Sequence, residues 1–244
     1  MSQSHDLLLY TAKVCPYAHR TELALEESGA KYDTFQVDLA NKPEWYAEKV
    51  NKASKVPTLV VDDKKPDQFN LPESMVIVEF VSDLFDPVST GNTIHSKDPK
   101  VRADSRYIVE RFAQLVVGSY MSAALKQDVV AFNELVQGLR TFNELILERS
   151  SQGPFIKGDK FTFADIGIAP IFGRILTVSK TNLFPSSADA APIHELLEKD
   201  ASLARVKTWW EAVSARPSWQ KTYDEKLIVD MFTKRIQGAQ QQAK

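Results

Sequence analysis

The sequence predicts a chain of two parts, a small α/β sandwich with a mixed sheet followed by an all-α domain. Three observations carry this. Roughly the first 85 residues alternate short β-rich runs with helical ones. A polar stretch, Val88 to Pro99, rich in Ser, Thr, Gly, Asn and Asp, then breaks the pattern. Beyond it the apolar residues recur at helical spacing. The expected boundaries are 1–87 for the α/β domain, 88–99 for the linker and 100–244 for the helical domain.

Leu7-Leu8-Leu9-Tyr10 reads as a short buried strand, and Cys15-Pro16 opens a helix. Proline fits the first helical position, where its missing N–H would have no intrahelical partner. Gly29 suits the left-handed position past that helix. Tyr32 to Leu39 alternates through Phe35, Val37 and Leu39 as a second strand, and Asn41-Lys42-Pro43-Glu44-Trp45 offers a short helix start. Val56 to Val61 is a third strand entered through Pro57, Asp62 to Asp67 a turn, and Gln68 to Leu71 a fourth strand. Glu73-Ser74 precedes a dense apolar run ending at Asp86-Pro87, long enough for a helix that Ser74 would cap.

In the second part, Val101, Ile108, Phe112 and Leu115 mark one helix, and Phe132, Leu135, Val136, Leu139, Phe142, Leu145 and Ile146 another, closed by Ser151-Gln152-Gly153-Pro154. Thr162 and Asp165 form a short capping box, with Phe161 and Ile166 spaced for a hydrophobic staple. The apolar run Ile166 to Phe172 reads as a helix buried in the domain core. Thr181 to Pro192 reads as a loop, Ala201 to Ser214 as a helix, and Gln237 to Lys244 as a frayed polar tail.

With 43% apolar and 25% charged residues among 244, the composition is that of a soluble globular protein. A formal charge of −2 supplies no electrostatic footprint for nucleic acid or an anionic membrane. The N-terminus lacks the pattern of a secretory signal, and the apolar run Met75-Val76-Ile77-Val78 is cut by Glu79, so no transmembrane helix is expected. The single cysteine excludes an internal disulfide. A cytoplasmic location is the expectation.

Cys15 is the first candidate for chemistry. At the N-cap of its helix the sulfur would face N–H groups and the positive end of the dipole, which favours thiolate over thiol. The competing reading is a buried structural cysteine. Ala18 stands where a dithiol oxidoreductase carries its second cysteine, so a resolving thiol must come from outside the chain. His19 reads as a helix-face histidine rather than a hydrolase base, because no orienting partner or oxyanion element accompanies it. No cluster has metal-ligand spacing, and no metal is expected. Val56-Pro57 could be a plain edge proline or a cis peptide presenting the Val56 backbone to an extended ligand. Glu73-Ser74 could be a helix cap alone, or could bind a ligand carboxylate through the hydroxyl and helix start and an ammonium through Glu73.

The order Cys-Pro-Tyr, Asn-Lys-Pro-Glu-Trp, Val-Pro, Glu-Ser and Phe-Thr-Phe-Ala-Asp-Ile resembles a glutathione transferase of the omega or omega-like class, cysteine type. The resemblance covers nearly the whole chain and implies a thioredoxin-like N-terminal domain joined to a helical C-terminal one. It implies glutathione as co-substrate and Cys15 as the residue that forms a mixed disulfide with it. Val56 and the cis-proline Pro57 would meet the cysteinyl backbone, Glu73 and Ser74 the γ-glutamyl group, and Lys42 the glycyl carboxylate. Thr162 and Asp165 would be structural. The proline-rich N-terminal extension of some animal omega members is absent, and Pro72 stands where many relatives carry another residue.

The expected function is a glutathione-dependent thiol transferase or reductase that deglutathionylates small acceptors, mixed disulfides or dehydroascorbate-like compounds. Tyr17, Tyr107, Phe112 and Met121 are candidates for a second-substrate pocket. The resemblance also implies a homodimer and a place in detoxification or redox metabolism. A second reading is a binding protein for apolar or aromatic compounds. A third, an intracellular chloride channel-like protein, is disfavoured because the apolar stretch needed for membrane insertion is missing.

Overall fold

The computed structural model describes residues 5–85, 94–149 and 152–242. The chain divides into two compact units, Met1–His95 with Pro217–Tyr223, and Ser96–Arg216 with Asp224–Lys244.

The first unit holds a four-stranded mixed sheet, β1 (Leu7–Thr11), β2 (Asp33–Gln36), β3 (Thr58–Val61) and β4 (Phe69–Pro72), in the order β2-β1-β3-β4. β1 pairs parallel with β2 and antiparallel with β3, placing Leu9 opposite Thr34 and Leu59; β3 pairs antiparallel with β4. The parallel crossover between β1 and β2 is α1 (Pro16–Ser28), and Gly29 ends it at φ 69°, the left-handed conformation expected of a glycine there. Along β1 burial alternates, as a pleated strand requires. Thr11 turns toward α1, donating its hydroxyl to Glu22 Oε1 at 2.7 Å, while Leu8 and Tyr10 pack with Val37, Tyr46, Val50 and Val60. Tyr46 belongs to α2 (Glu44–Lys49). α1 packs against α3 (Ser74–Leu84).

The second strand differs from its expected form. It spans four residues, all exposed, and of the alternating set only Val37, just past its end, is buried. β2 is an edge strand, so one side of its ladder and most of its side chains face water. The third strand starts at Thr58, one residue after the proline, and α3 has Glu73 as its N-cap with Ser74 as its first residue.

The second unit contains α4 (Pro99–Phe112), a π-helical stretch (Ala113–Val117), α5 (Gly118–Lys126), α6 (Val129–Arg149), α7 (Phe163–Lys180), α8 (Ile193–Lys199), a 3₁₀ turn (Ala201–Leu203), α9 (Ala204–Ser214) and α11 (Glu225–Gln242). α6 approaches the π-helical stretch so closely that a Cβ on Gly138 would lie 2.2 Å from the Leu115 carbonyl oxygen, which only glycine permits. Thr162 N donates to Asp165 Oδ2 at 2.8 Å, closing the capping box of α7, and Phe161 and Ile166 are both buried.

Three further expectations are corrected. The stretch 237–242 is the last part of α11 rather than a frayed tail. Phe112 is fully buried with its ring 4.9 Å from that of Phe142, so it packs in the helical core. The boundary is also not a single cut, because α10 (Pro217–Thr222) joins the first unit. There Thr222 Oγ1 is hydrogen-bonded to His19 Nε2 at 2.8 Å, and the Trp219 and Tyr223 rings lie 4.9 and 5.8 Å from the imidazole. His19 is thus a satisfied core histidine. Of the expected linker 88–99, residues 88–93 lie outside the described residues, as do Asp86 and Pro87 at the helix end and Ser151 at the close of α6.

Candidate active site around Cys15

Cys15 holds an extended backbone, φ −83° and ψ 120°, as an N-cap does. Its N–H donates to the Ala12 carbonyl at 2.8 Å and its carbonyl accepts from His19 N at 3.1 Å, so the turn after β1 fixes the thiol at the start of α1. The sulfur makes no capping hydrogen bond, in contrast to the arrangement expected from the sequence. It lies 3.9 Å from the Val56 carbonyl oxygen. The first turn of α1 carries no acidic residue that would oppose a thiolate. Cys15 is half-buried and remains a free thiol.

The other expected residues line the same hollow. A cavity of about 430 Å³ is bordered by Cys15, Tyr17, Lys42, Val56, Pro57, Glu73 and Ser74. The Val56–Pro57 bond is cis. Glu73 takes φ 72° and ψ 111°, a left-handed φ that costs a non-glycine residue about 1–3 kcal/mol. That turn brings the chain from β4 into α3 with Glu73 exposed and Ser74 buried at the first helical position. The Lys42 ammonium donates to the Ser54 carbonyl at the cavity edge.

Sequence reasoning missed three contributors. Asn51 and Lys55 also border the cavity. Asn51 Nδ2 donates to the Lys55 carbonyl at 3.0 Å and to Thr58 Oγ1 at 3.1 Å, and Tyr46 OH donates to the same carbonyl at 2.8 Å. These bonds hold the loop that presents Val56. The third is Arg20, 6% exposed, whose Nη1 lies 3.5 Å from Ser74 Oγ and whose guanidinium carbon stands 5.0 Å from the Tyr17 ring centroid. Burial pulls it down to about 10, against the opposing pull of Tyr17 and Cys15, so it stays charged at neutral pH. Its phase on α1, three and four residues before the buried Leu23 and Ala24, was the available signal.

Tyr17 thus borders the cavity and covers Arg20. Tyr107 is exposed on α4 with the Arg149 guanidinium 4.5 Å over its ring, and Met121 is exposed on α5. A second cavity, about 550 Å³, lies in the helical unit against Phe132, Phe184 and the 185–192 loop; its lining holds no cysteine, lysine or arginine. Among the described residues no group of three or more His, Cys, Asp or Glu could hold a metal, and no helix is long and apolar enough to cross a membrane.

A family model described as the N-terminal domain of glutathione S-transferase matches residues 14–84, the segment that carries the cavity. A probable glutathione S-transferase of Solanum tuberosum is 31% identical over 180 residues, covering 71% of this chain and 76% of that protein. The chain belongs to the glutathione transferase family. Its solved relatives include glutathione transferase Omega 1C from Trametes versicolor, with 35% identity, a TM-score of 0.82 and coverage of 95% of this chain and 97% of that one. Omega 2S from the same organism, solved in complex with 2,4-dihydroxybenzophenone, shows 26% identity and a TM-score of 0.79 over 93% and 98% of the two chains. The transferase fold, a mixed thioredoxin-like sheet with helices and an all-helical second part, is therefore the one expected, and the chain is omega-like.

Proposed function

We propose that this omega-like glutathione transferase is a thiol transferase that removes glutathione from small mixed disulfides, with Cys15 as nucleophile. The observation that carries the reading is the placement of a free, half-buried thiol at the start of α1 in one cavity with the cis Val56–Pro57 backbone and the Glu73-Ser74 helix start. In this reading Val56 pairs with the cysteinyl backbone, Glu73 and Ser74 hold the γ-glutamyl end, and Lys42 meets the glycyl carboxylate. The Cys15 thiolate attacks the glutathionyl sulfur of R–S–SG, forming Cys15–S–SG and releasing RS⁻, which takes a proton. A second glutathione thiolate then attacks that disulfide, releasing GSSG and regenerating the Cys15 thiolate. The sum is R–S–SG plus GSH giving RSH plus GSSG, and dehydroascorbate-like acceptors would draw two electrons from the same glutathione pair. A cytoplasmic homodimer is part of the proposal, to be checked by sedimentation.

The test is intact mass after incubation with oxidised glutathione and then with reduced glutathione. A single adduct on Cys15 that reduced glutathione removes supports the cycle. No adduct on a thiol that still alkylates overturns it.

A second reading, binding of aromatic compounds, draws on the dihydroxybenzophenone held by the Trametes versicolor Omega 2S protein. Binding of that compound with equal affinity to wild type and Cys15→Ser, together with negligible turnover, would favour it.

A further inference from the structure

We infer that Arg20 is a positioning residue that commits the Ser74 hydroxyl to donate into the cavity, making the start of α3 selective for a carboxylate. The inference rests on the glutathione reading above and names what selects the γ-glutamyl end. A guanidinium has five N–H donors and no acceptor, whereas a hydroxyl has one proton and two lone pairs. Arg20 Nη1 lies 3.5 Å from Ser74 Oγ, so across that contact Ser74 can only accept. Its single proton is then left to point elsewhere. Ser74 is 6% exposed and borders the cavity, so the cavity is where an incoming acceptor can meet it.

The electrostatics act in the same direction. Arg20 is itself 6% exposed, and a charge withdrawn from water is screened less than one at the surface. It stands behind the first residue of an eleven-residue helix, whose N–H groups also favour negative charge. A carboxylate seated there would receive a hydroxyl proton already turned outward, helix N–H groups and a fixed cation behind them. The Tyr17 ring 5.0 Å from the guanidinium carbon holds the arginine plane from the cavity side. Glu73, exposed beside Ser74, leaves an anionic neighbour for the ammonium of the same α-amino acid group. The paired charges match an amino acid end, not a plain anion.

The experiment compares turnover of a glutathionylated acceptor with that of the same acceptor in mixed disulfide with cysteinylglycine, which lacks the γ-glutamyl group, at one fixed concentration of reduced glutathione. Arg20→Met keeps an unbranched side chain at the buried site, and Ser74→Ala removes the hydroxyl. A hydrogen bond to a charged group predicts that each folded variant raises KM for the glutathionylated acceptor by about ten- to a hundredfold, with kcat within a few-fold of wild type. Reaction of the cysteinylglycine disulfide should hardly change, and the double variant should resemble the singles because one unit is removed in each. Arg20→Lys, which retains a cation and donors, should recover most of the preference for the glutathionylated acceptor. A folded Arg20→Met with unchanged KM, equal losses with both disulfides, or losses that multiply in the double variant would overturn the inference. Ser74→Ala with its preference intact overturns it even if Arg20→Met does not fold. Wild type that turns over both mixed disulfides equally defeats the glutathione reading itself, an outcome visible before any variant is made.

Discussion

Asp165 offers a direct test of what holds the helical unit together. Its carboxylate is fully buried and accepts four hydrogen bonds: Ile156 N at 3.0 Å and Trp209 Nε1 at 2.8 Å to Oδ1, Thr162 N at 2.8 Å and Thr162 Oγ1 at 3.0 Å to Oδ2. Asp165→Ala strands these donors. The Thr162 hydroxyl can rotate away, and Thr162 N is only part-buried, but Ile156 N and Trp209 Nε1 have no such release. At about 1–3 kcal/mol for each stranded buried donor, the loss is about 2–6 kcal/mol before any cavity cost. That is a large part of the ~5–15 kcal/mol that holds a typical domain. Asp165→Asn can keep its oxygen toward Ile156 and Trp209 and turn its amide to the Thr162 hydroxyl, giving up one backbone bond at a cost of about 1–3 kcal/mol. Burial also pushes the Asp165 carboxyl up, its hydrogen bonds opposing. The folded state then holds that proton more tightly than the unfolded one, so this stability is present at low pH and declines as pH rises through the raised value. Asn should remove the decline. Urea unfolding followed by circular dichroism at several pH values measures both effects. An Asp165→Ala variant within 1 kcal/mol of wild type would refute the claim that these four bonds anchor α7.

Three other outcomes are expected. Cys15→Ser should reduce disulfide exchange by about a thousandfold or more while leaving the melting temperature near that of wild type, because the thiol caps nothing; stopped-flow turnover and calorimetry check both. Lys42→Met should raise KM for the glutathionylated acceptor by about two- to fivefold without altering kcat, the effect of a half-exposed ion pair, and addition of salt should shrink the difference. The hydroxyl and N–H of Ser202, and then Arg140 at 2.9 and 3.1 Å, hold the Asp200 carboxyl down at about 2. The stability it supplies is present above the ordinary aspartate range and is lost as pH falls through that range toward 2, so Asp200→Asn should flatten the acid limb of a stability–pH curve below about pH 4.

Local rules explain why part of this fold was legible. The strand at Leu7, the helix opened by Pro16 and closed by Gly29, and the Thr162–Asp165 box each depend on residues within a few positions of one another, so the sequence displays them. The misses are long-range. α10 docks on α1 through pairs nearly two hundred positions apart, such as Lys221 with Glu26 at 2.8 Å, and no local pattern announces that. The exposure of β2 follows from its edge position, which depends on where β1 and β3 pair. At the site, the residues of the Cys-Pro, Val-Pro and Glu-Ser landmarks were legible as motifs, whereas the supports behind them were not. Asn51 looks like any polar loop residue until its amide meets the Lys55 carbonyl, and Arg20 looks like a surface charge until α3 covers it.

The single cysteine has a consequence for the order of events. Ala18, one turn along α1 from Cys15, is fully buried, so the place where a second thiol of a dithiol enzyme would stand is filled by the core. Once Cys15 carries glutathione in the proposed cycle, nothing in the chain can resolve it, and the enzyme waits for an external thiol. That thiol must approach the Cys15 sulfur in line with the disulfide while the first glutathione still occupies Val56, Glu73 and Ser74. The resolving glutathione therefore cannot use the same subsite, and its half-reaction should saturate weakly or not at all. The preference for the γ-glutamyl end belongs to the bound partner, and the rate of release depends on the free concentration of the other. Arg20 and Ser74 variants should accordingly alter the first half-reaction and leave the second-order rate constant of the second nearly unchanged.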